Sequence, residues 1–413
     1  MNKPFAYIPT LYLYQAIPYS IVMTTSVLMY QQLGISAASF TFWTSLLYLP
    51  WTIKPLWSPI VESLGTKRQW VVYTQILMAM LFVGMGFALE CDAFYVLSLI
   101  SLAIIAFTSA SHDIACDGFY ILALNEKEQK YYVGIRSTFY RLGSMAAIGL
   151  IPILVGQLKE ISSSPWTYAF IVLGGILGVL AIINALLMPK PTDNTSSSGN
   201  SWGIFIDVIA SFFSKPGVVP SIAFMLLYRL GEAQLSKIAT PFLVDAVDNG
   251  GLALTETQYG LIYGTAGLIA LTVGGILGGF AAGKWGLKRT FWPMVLAMNL
   301  PNIAYVLLAQ TQPDSDCWTI WAAVITEQFG YGFGFCAYML FLINYVKDAK
   351  YKTAEYALAT AVMALGMMLP GMVSGWIFEQ LSSSYELFFI YVLVCCIPGM
   401  LLIPSIKRHI SEE

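Results

Sequence analysis

Asp113 and Asp117 stand four residues apart in SASHDIACDGFYILAL (109–124), a stretch that otherwise reads as the interior of an apolar helix. At i and i+4 they share one helix face. Two uses are open. Repulsion between the carboxylates favours one of them holding a proton, the chemistry of a proton-coupled transporter. Alternatively, the pair is salt-bridged to Arg136 and Arg141 of the next apolar run and holds two helices together. His112 reads as a packed or hydrogen-bonded neighbour.

A second dense stretch is MLLYRLGEAQLSKIATPFL (225–243). Arg229 and Glu232, at i and i+3, can neutralise each other. Lys237 lies five residues beyond Glu232, on another face. Such a base calls for an anionic substrate or an acid on another helix, and Glu327 is the candidate acid. An ionisable side chain at the centre of a spanning helix costs about 2.5–3.5 kcal/mol, so it faces a cavity or a partner. Asp113, Asp117, Glu232 and Glu327 are therefore the candidate proton carriers.

Amides and rings accompany these charges. LYLYQAIPYS (11–20) carries Tyr12 and Gln15 beside Pro18. AMNLPNIAY (297–305) sets Asn299 and Asn302 around a proline, and EQFGYGFGFCAYMLFLIN (327–344) combines Gln328, Tyr331 and Tyr338 with glycines. Rings that stack on sugar faces and amides that pair with hydroxyls suit a neutral, hydroxyl-rich ligand. Interfacial tyrosines and helix-packing glycines account for part of the same pattern.

The elements that must hold these groups are membrane helices. The chain has 413 residues, of which 57% are hydrophobic and 11% charged, against about 25% charged in soluble domains. Apolar runs near 7–30, 40–61, 70–89, 93–121, 134–157, 166–188, 218–244, 258–282, 291–310, 318–345, 354–380 and 385–405 are each near the roughly 20 residues a span needs. The fold class expected is an all-α membrane protein of twelve spans. Residues 1–188 form an N-terminal six-helix bundle and 216–413 a C-terminal one. The segment 189–215 is a cytoplasmic linker ending in an amphipathic helix from Trp202 to Phe213, lying on the membrane surface.

Charge orients the spans. With the N-terminus inside, fifteen Lys and Arg fall on the cytoplasmic side and only Lys159 on the other, while Lys54, Arg136, Arg141, Arg229 and Lys237 lie within spans. That split places both termini in the cytoplasm. SPIVESLGTKRQW (58–70) and GGFAAGKWGLKRT (278–290) follow the second and eighth spans as a faint internal repeat.

Other function classes find little. A net charge of −2 does not suggest nucleic acid. The six cysteines form no CxxC pair, and His112 and His409 are the only histidines, so no metal site, cofactor site or catalytic cluster is expected. No cleavable signal peptide is read at the start. A transporter, not an enzyme, is expected.

Several stretches together resemble the muropeptide permease (AmpG) family of the major facilitator superfamily, related to the acetyl-CoA transporters. YLPWTIKPLWSPIVESLGTKRQW (48–70) is similar to the family's Lys-x-x-Trp-x-Pro turn. SHDIACDGFYILAL (111–124) resembles its Gln-Asp-x-x-x-Asp segment, with His112 where Gln is usual. RSTFYRLGSM (136–145) resembles its Tyr-Arg-Leu-Gly stretch, and LLYRLGEAQLSKIATPFL (226–243) its seventh span, with Glu232 where Asp is common. GKWGLKR (283–289) and TAEYALAT (353–360) are similar to its loop after span eight and the start of span eleven.

The resemblance implies a major facilitator fold in a bacterial inner membrane, with spans one, four, seven and ten around a central cavity. It implies proton-coupled import of peptidoglycan fragments for recycling, GlcNAc–anhydro-MurNAc with or without peptide, by alternating access of a monomer. Asp113, Asp117, Tyr140, Arg141, Arg229 and Glu232 match its motifs. Arg141 and Lys237 would meet lactyl or peptide carboxylates. The alternative is an importer of another sugar or organic anion on the same scaffold.

Overall fold

The computed structural model describes residues 4–190, 201–349 and 351–407. Among these residues the protein is helical with no strand. Helices satisfy their own backbone groups, which lipid cannot do. Among the described residues eight helices are long and apolar enough to cross a membrane, or nine if the bent pair Ile206–Phe213 and Val218–Val244 counts as one span. That is consistent with twelve spans. The first and second are interrupted, and the tenth, Trp318–Tyr345, is made more polar by Glu327, Gln328 and three tyrosines.

The interruptions have local causes. The first span runs Ile8–Ser20, then a π-turn Ile21–Thr25, then Ser26–Gln32. Pro18 withdraws one N–H just before the π-turn. The second is cut into Ala37–Leu46, Leu49–Ile53, the 3-10 turn Lys54–Leu56 and Ser58–Ser63, with prolines at each restart after the first. The fifth carries a π-turn Ala146–Leu150, and the eighth another, Gly260–Gly267. The ninth breaks at Leu300–Asn302 around Pro301.

The chain divides into two compact units, each taking pieces of both sequence halves. One comprises the chain to Met29, Leu47 to the linker, and Thr255–Gly264. Within it the three π-turns converge. Thr25 Oγ1 donates to the Ala147 carbonyl at 2.9 Å, and a Cβ on Gly264 would lie 2.4 Å from Gly149 Cα, so only glycine permits the approach. Lys159 and Glu256 form an ion pair at the start of the eighth span.

The second unit holds Tyr30–Leu46, the chain from the linker to Leu254, and Thr265 onward. Ala37–Leu46 runs along the eleventh span, Lys352–Gln380. A Cβ on Gly375 would meet the Ala37 carbonyl at 2.1 Å. Linker residues 191–200 lie outside the described residues. The helix Ser201–Phe213 follows, and its Ile206–Phe213 part stands at 96° to the seventh span. Phe212 is buried against Tyr345, while Ile206 and Phe213 are exposed. Lys215 pairs with fully buried Glu355 at 2.5 Å, and Ser211 Oγ donates to the same carboxylate at 2.7 Å.

Candidate functional site

The fourth span, Phe94–Ala123, carries Asp113 and Asp117 in its C-terminal half on one face, as four-residue spacing requires. Each acid meets its own cation. Arg136 Nη2 lies 2.7 Å from Asp117 Oδ1, and Lys54 Nζ donates to Asp113. The first span covers the pair: Gln15 Nε2 donates to Asp113, and the Tyr12 hydroxyl lies 3.4 Å from Asp117 Oδ1. The Arg136 guanidinium also sits 4.5 Å over the Tyr12 ring and 5.3 Å over Tyr120. Two acids and two bases thus balance in one cluster drawn from spans one, two, four and five.

One sequence expectation is corrected here. Asp113 pairs with Lys54, not with Arg141. Arg141 is five residues beyond Arg136, about 140° further round the helix, so both cannot face span four. The break at Lys54–Leu56 brings Lys54 to span four, and Trp57 Nε1 donates to Ser111 Oγ at 3.2 Å in the same turn. Arg141 is half-buried elsewhere, while Tyr140 packs against the buried cluster that includes Tyr12, Ala115 and Phe119.

His112 points away from the acids. Its Nε2 is 3.1 Å from Gln75 Nε2, so the ring nitrogen accepts. Gln75 Oε1 accepts from Asn184, and Asn184 Oδ1 accepts from Thr10 at 2.6 Å. The chain of bonds joins spans one, three, four and six inside the bundle, the hydrogen-bonded packing role read from the sequence.

In the second unit the seventh span starts its upper helix at Leu230, after a turn at Tyr228 and Arg229. That turn swings the Arg229 guanidinium to the tenth span, 5.2 Å over Tyr331 and 4.9 Å over Phe335, and it donates to the Tyr331 hydroxyl. Glu232 and Glu327 are both buried in the same unit.

A second expectation changes. Glu327 is not the partner of Lys237. Glu327 accepts from Gln328 Nε2 at 3.0 Å and from the Tyr305 hydroxyl at 3.4 Å, neither of them a cation. Buried Lys237 donates to Thr44 Oγ1 at 3.1 Å. The five-residue offset that puts Lys237 on another face of the span aims it at Ala37–Leu46 instead.

The remaining candidates separate by surroundings. Asn299 bonds back to Val295 within its own helix at 2.8 Å. Asn302, at the break of span nine, reaches Cys396 Sγ at 3.8 Å and keeps a buried, unpartnered Oδ1. Tyr338 is fully buried, stacked 5.0 Å from Tyr228 and bonded to the Met225 carbonyl, which makes it part of the core.

Sequence reading left Lys54, Thr44 and Tyr305 off the list of site residues. Lys54 had a signal, as a cation inside an apolar run beside a proline; Thr44 and Tyr305 had none. Among the described residues no group of three or more His, Cys, Asp and Glu is arranged for a metal. The two clusters set carboxylates, cations, rings and amides side by side within the helix bundles.

A family model described as Major Facilitator Superfamily matches residues 10–354. The anhydromuropeptide permease of Escherichia coli (strain K12) is 26% identical over 364 residues, covering 87% of this chain and 71% of that protein. A protein named putative transporter AmpG 4, from Rickettsia conorii, is 23% identical over 410 residues, covering 95% and 94%. Among solved structures, a bacterial homologue of the human lysosomal transporter Spinster superposes with TM-score 0.75 at 14% identity, covering 98% of this chain and 96% of that one. The nucleoside transporter NupG gives 0.68 at 16% identity, covering 96% and 98%. At these identities the structural likenesses establish the fold alone.

Proposed function

The chain belongs to the major facilitator superfamily, and from that premise we propose that it is a proton-coupled importer of peptidoglycan fragments, GlcNAc–anhydro-MurNAc with or without peptide. The chain is a multi-pass membrane transporter homologous to AmpG permeases. The Escherichia coli relative, an anhydromuropeptide permease, supports the cargo class. The loop charges support a bacterial inner-membrane orientation with both termini cytoplasmic. Residues 1–188 and 216–413 act as the two halves of an alternating-access monomer, joined through 189–215.

The observation that carries proton coupling is the Glu232–Glu327 pair. Both carboxylates are buried, and the hydrogen-bond donors to Glu327 are neutral. A proton on a buried acid removes the cost of holding its charge in the bundle, and loss of that proton to the opposite side resets it. Asp117 and Asp113 act as secondary sites, because each already faces a cation. Tyr12, Gln15, Tyr140, Asn302 and Tyr331 supply rings and amides for the sugars. Arg141, Arg229 and Lys237 meet the cargo's carboxylates.

Lys237, a buried cation within a span, favours one other reading, an importer of a different organic anion on the same scaffold. Uptake of labelled GlcNAc–anhydro-MurNAc into proteoliposomes, with and without an inward proton gradient, tests both. Gradient-stimulated accumulation supports the proposal. Uptake indifferent to the gradient removes coupling, and no uptake moves the cargo to the second reading.

A further inference from the structure

We infer that the second unit carries a binding site for a phosphate-bearing anion at the end of spans eight to eleven, and that its occupant is the headgroup of an acidic phospholipid. The site is a cavity of about 1370 Å³ between the Lys284–Arg289 turn and the Leu340–Lys347 stretch, with Lys352 and Tyr356 at the start of the eleventh span. Lys284, Lys288, Arg289, Lys347 and Lys352 line it, and no acid is among its lining residues. Asp348, exposed next to Lys347, does not line the cavity, and Glu355 of the eleventh span is buried and paired with Lys215 and Ser211.

An excess of cations on one membrane side is expected of any such protein. Two further features distinguish this place. Helices Leu287–Asn299 and Lys352–Gln380 both begin at the cavity, and neither Gly286 nor Tyr351 caps its helix with a side chain. In the first half the matching helix starts are closed by their own residues: Thr66 and Gln69 form one capping box, Asn125 and Glu128 another. Two uncapped helix N-termini beside five cations make a strong anion-binding arrangement. Capping the first-half helices internally leaves no comparable demand there.

The rings indicate where the anion comes from. Lys284 Nζ lies 5.8 Å from the Phe280 ring and 5.4 Å from Trp285, and both rings are exposed. On a spanning helix, exposed aromatics at the helix end sit at headgroup level. A lipid phosphate can therefore enter the cavity from the bilayer with its chains beside Phe280 and Trp285. A soluble phosphate ester offers the same phosphate but uses none of these rings.

The test uses the full chain in nanodiscs and in detergent. Retention of phosphatidylglycerol over phosphatidylcholine is read by native mass spectrometry. The wild type should retain phosphatidylglycerol selectively. Lys288→Gln/Arg289→Gln should lose at least fivefold of that retention, and the control Lys127→Gln/Lys190→Gln should keep it. Equal loss in both doubles would overturn the site, since general basic charge would then suffice. If the cavity double does not fold, Tyr351→Asp decides. It supplies the missing cap as a carboxylate, so it should lower lipid retention while raising thermal stability. Unchanged retention in that variant also overturns the proposal. Inorganic pyrophosphate in detergent separates the sources. Failure to displace the lipid supports a headgroup seated from the bilayer, and tight pyrophosphate binding without lipid selectivity overturns the lipid occupant.

Discussion

Arg136 lies 2.7 Å from Asp117 on the neighbouring span, with its guanidinium 4.5 Å over the Tyr12 ring. One cation thus ties spans one, four and five at a single point, beside the Lys54–Asp113 pair. A proton arriving at Asp117 would release Arg136 from its carboxylate while leaving it on the ring. Asp117→Asn mimics that event permanently. The side chains are 32% and 42% exposed, so the pair contributes only about 0–1 kcal/mol of stability. The expected result is a thermal midpoint close to wild type with uptake reduced at least tenfold. A large loss of stability with uptake per folded molecule unchanged would make the pair purely structural.

Glu327→Gln should separate coupling from transport. With one of the two buried acids made permanently neutral, gradient-driven accumulation is expected to disappear while counterflow of labelled cargo continues. Glu232→Gln should behave alike. A variant that still accumulates cargo fully against a gradient would remove its residue from the coupling pair.

Lys237→Met removes a buried cation that donates to Thr44 Oγ1. Uptake of a peptide-bearing fragment with free carboxylates should show a KM raised about tenfold, the equivalent of about 1.4 kcal/mol. The disaccharide stripped of its carboxylates should be affected less. Equal changes for both would place Lys237 outside carboxylate recognition.

Lys215 and Glu355 fasten the surface helix Ser201–Phe213 to the eleventh span. Glu355 is fully buried, so Lys215→Met leaves an uncompensated buried charge and should destabilise by about 3–5 kcal/mol. Adding Glu355→Gln should recover much of the loss. Additive losses in a double-mutant cycle of thermal unfolding would contradict direct pairing.

Glu90, in the turn after the third span, accepts hydrogen bonds from Thr167 and Ser164 at the start of Pro165–Leu187. These bonds hold its carboxyl below the usual 4.5. A lowered folded value means the stabilisation is complete above the unfolded pKa and is lost as pH falls through the folded one. Thermal midpoints should therefore drop in acid below pH about 4.5 in the wild type, and less steeply in Glu90→Gln. Identical acid slopes would remove Glu90 from the account.

The chemistry of each helix was legible from residue types alone. Apolar runs predicted the spans, four-residue spacing put Asp113 and Asp117 on one face, and buried charge marked Glu232, Glu327 and Lys237. These are local properties, set by the 3.6-residue repeat and by the cost of charge in lipid. Partnership is not local. It depends on where a span breaks and how far the break turns the next residue. The turn at Lys54–Leu56 brings Lys54 to Asp113, and the one at Tyr228 and Arg229 sends Arg229 to Tyr331. Lys237 meets Thr44, nearly two hundred residues away, because glycines on the eleventh span admit Ala37–Leu46 into the second unit. The sequence by itself determined which groups must be buried in this membrane. Only the tertiary structure decided which of them neutralise one another, because that choice is made by helix rotation and close approach between elements far apart in the chain.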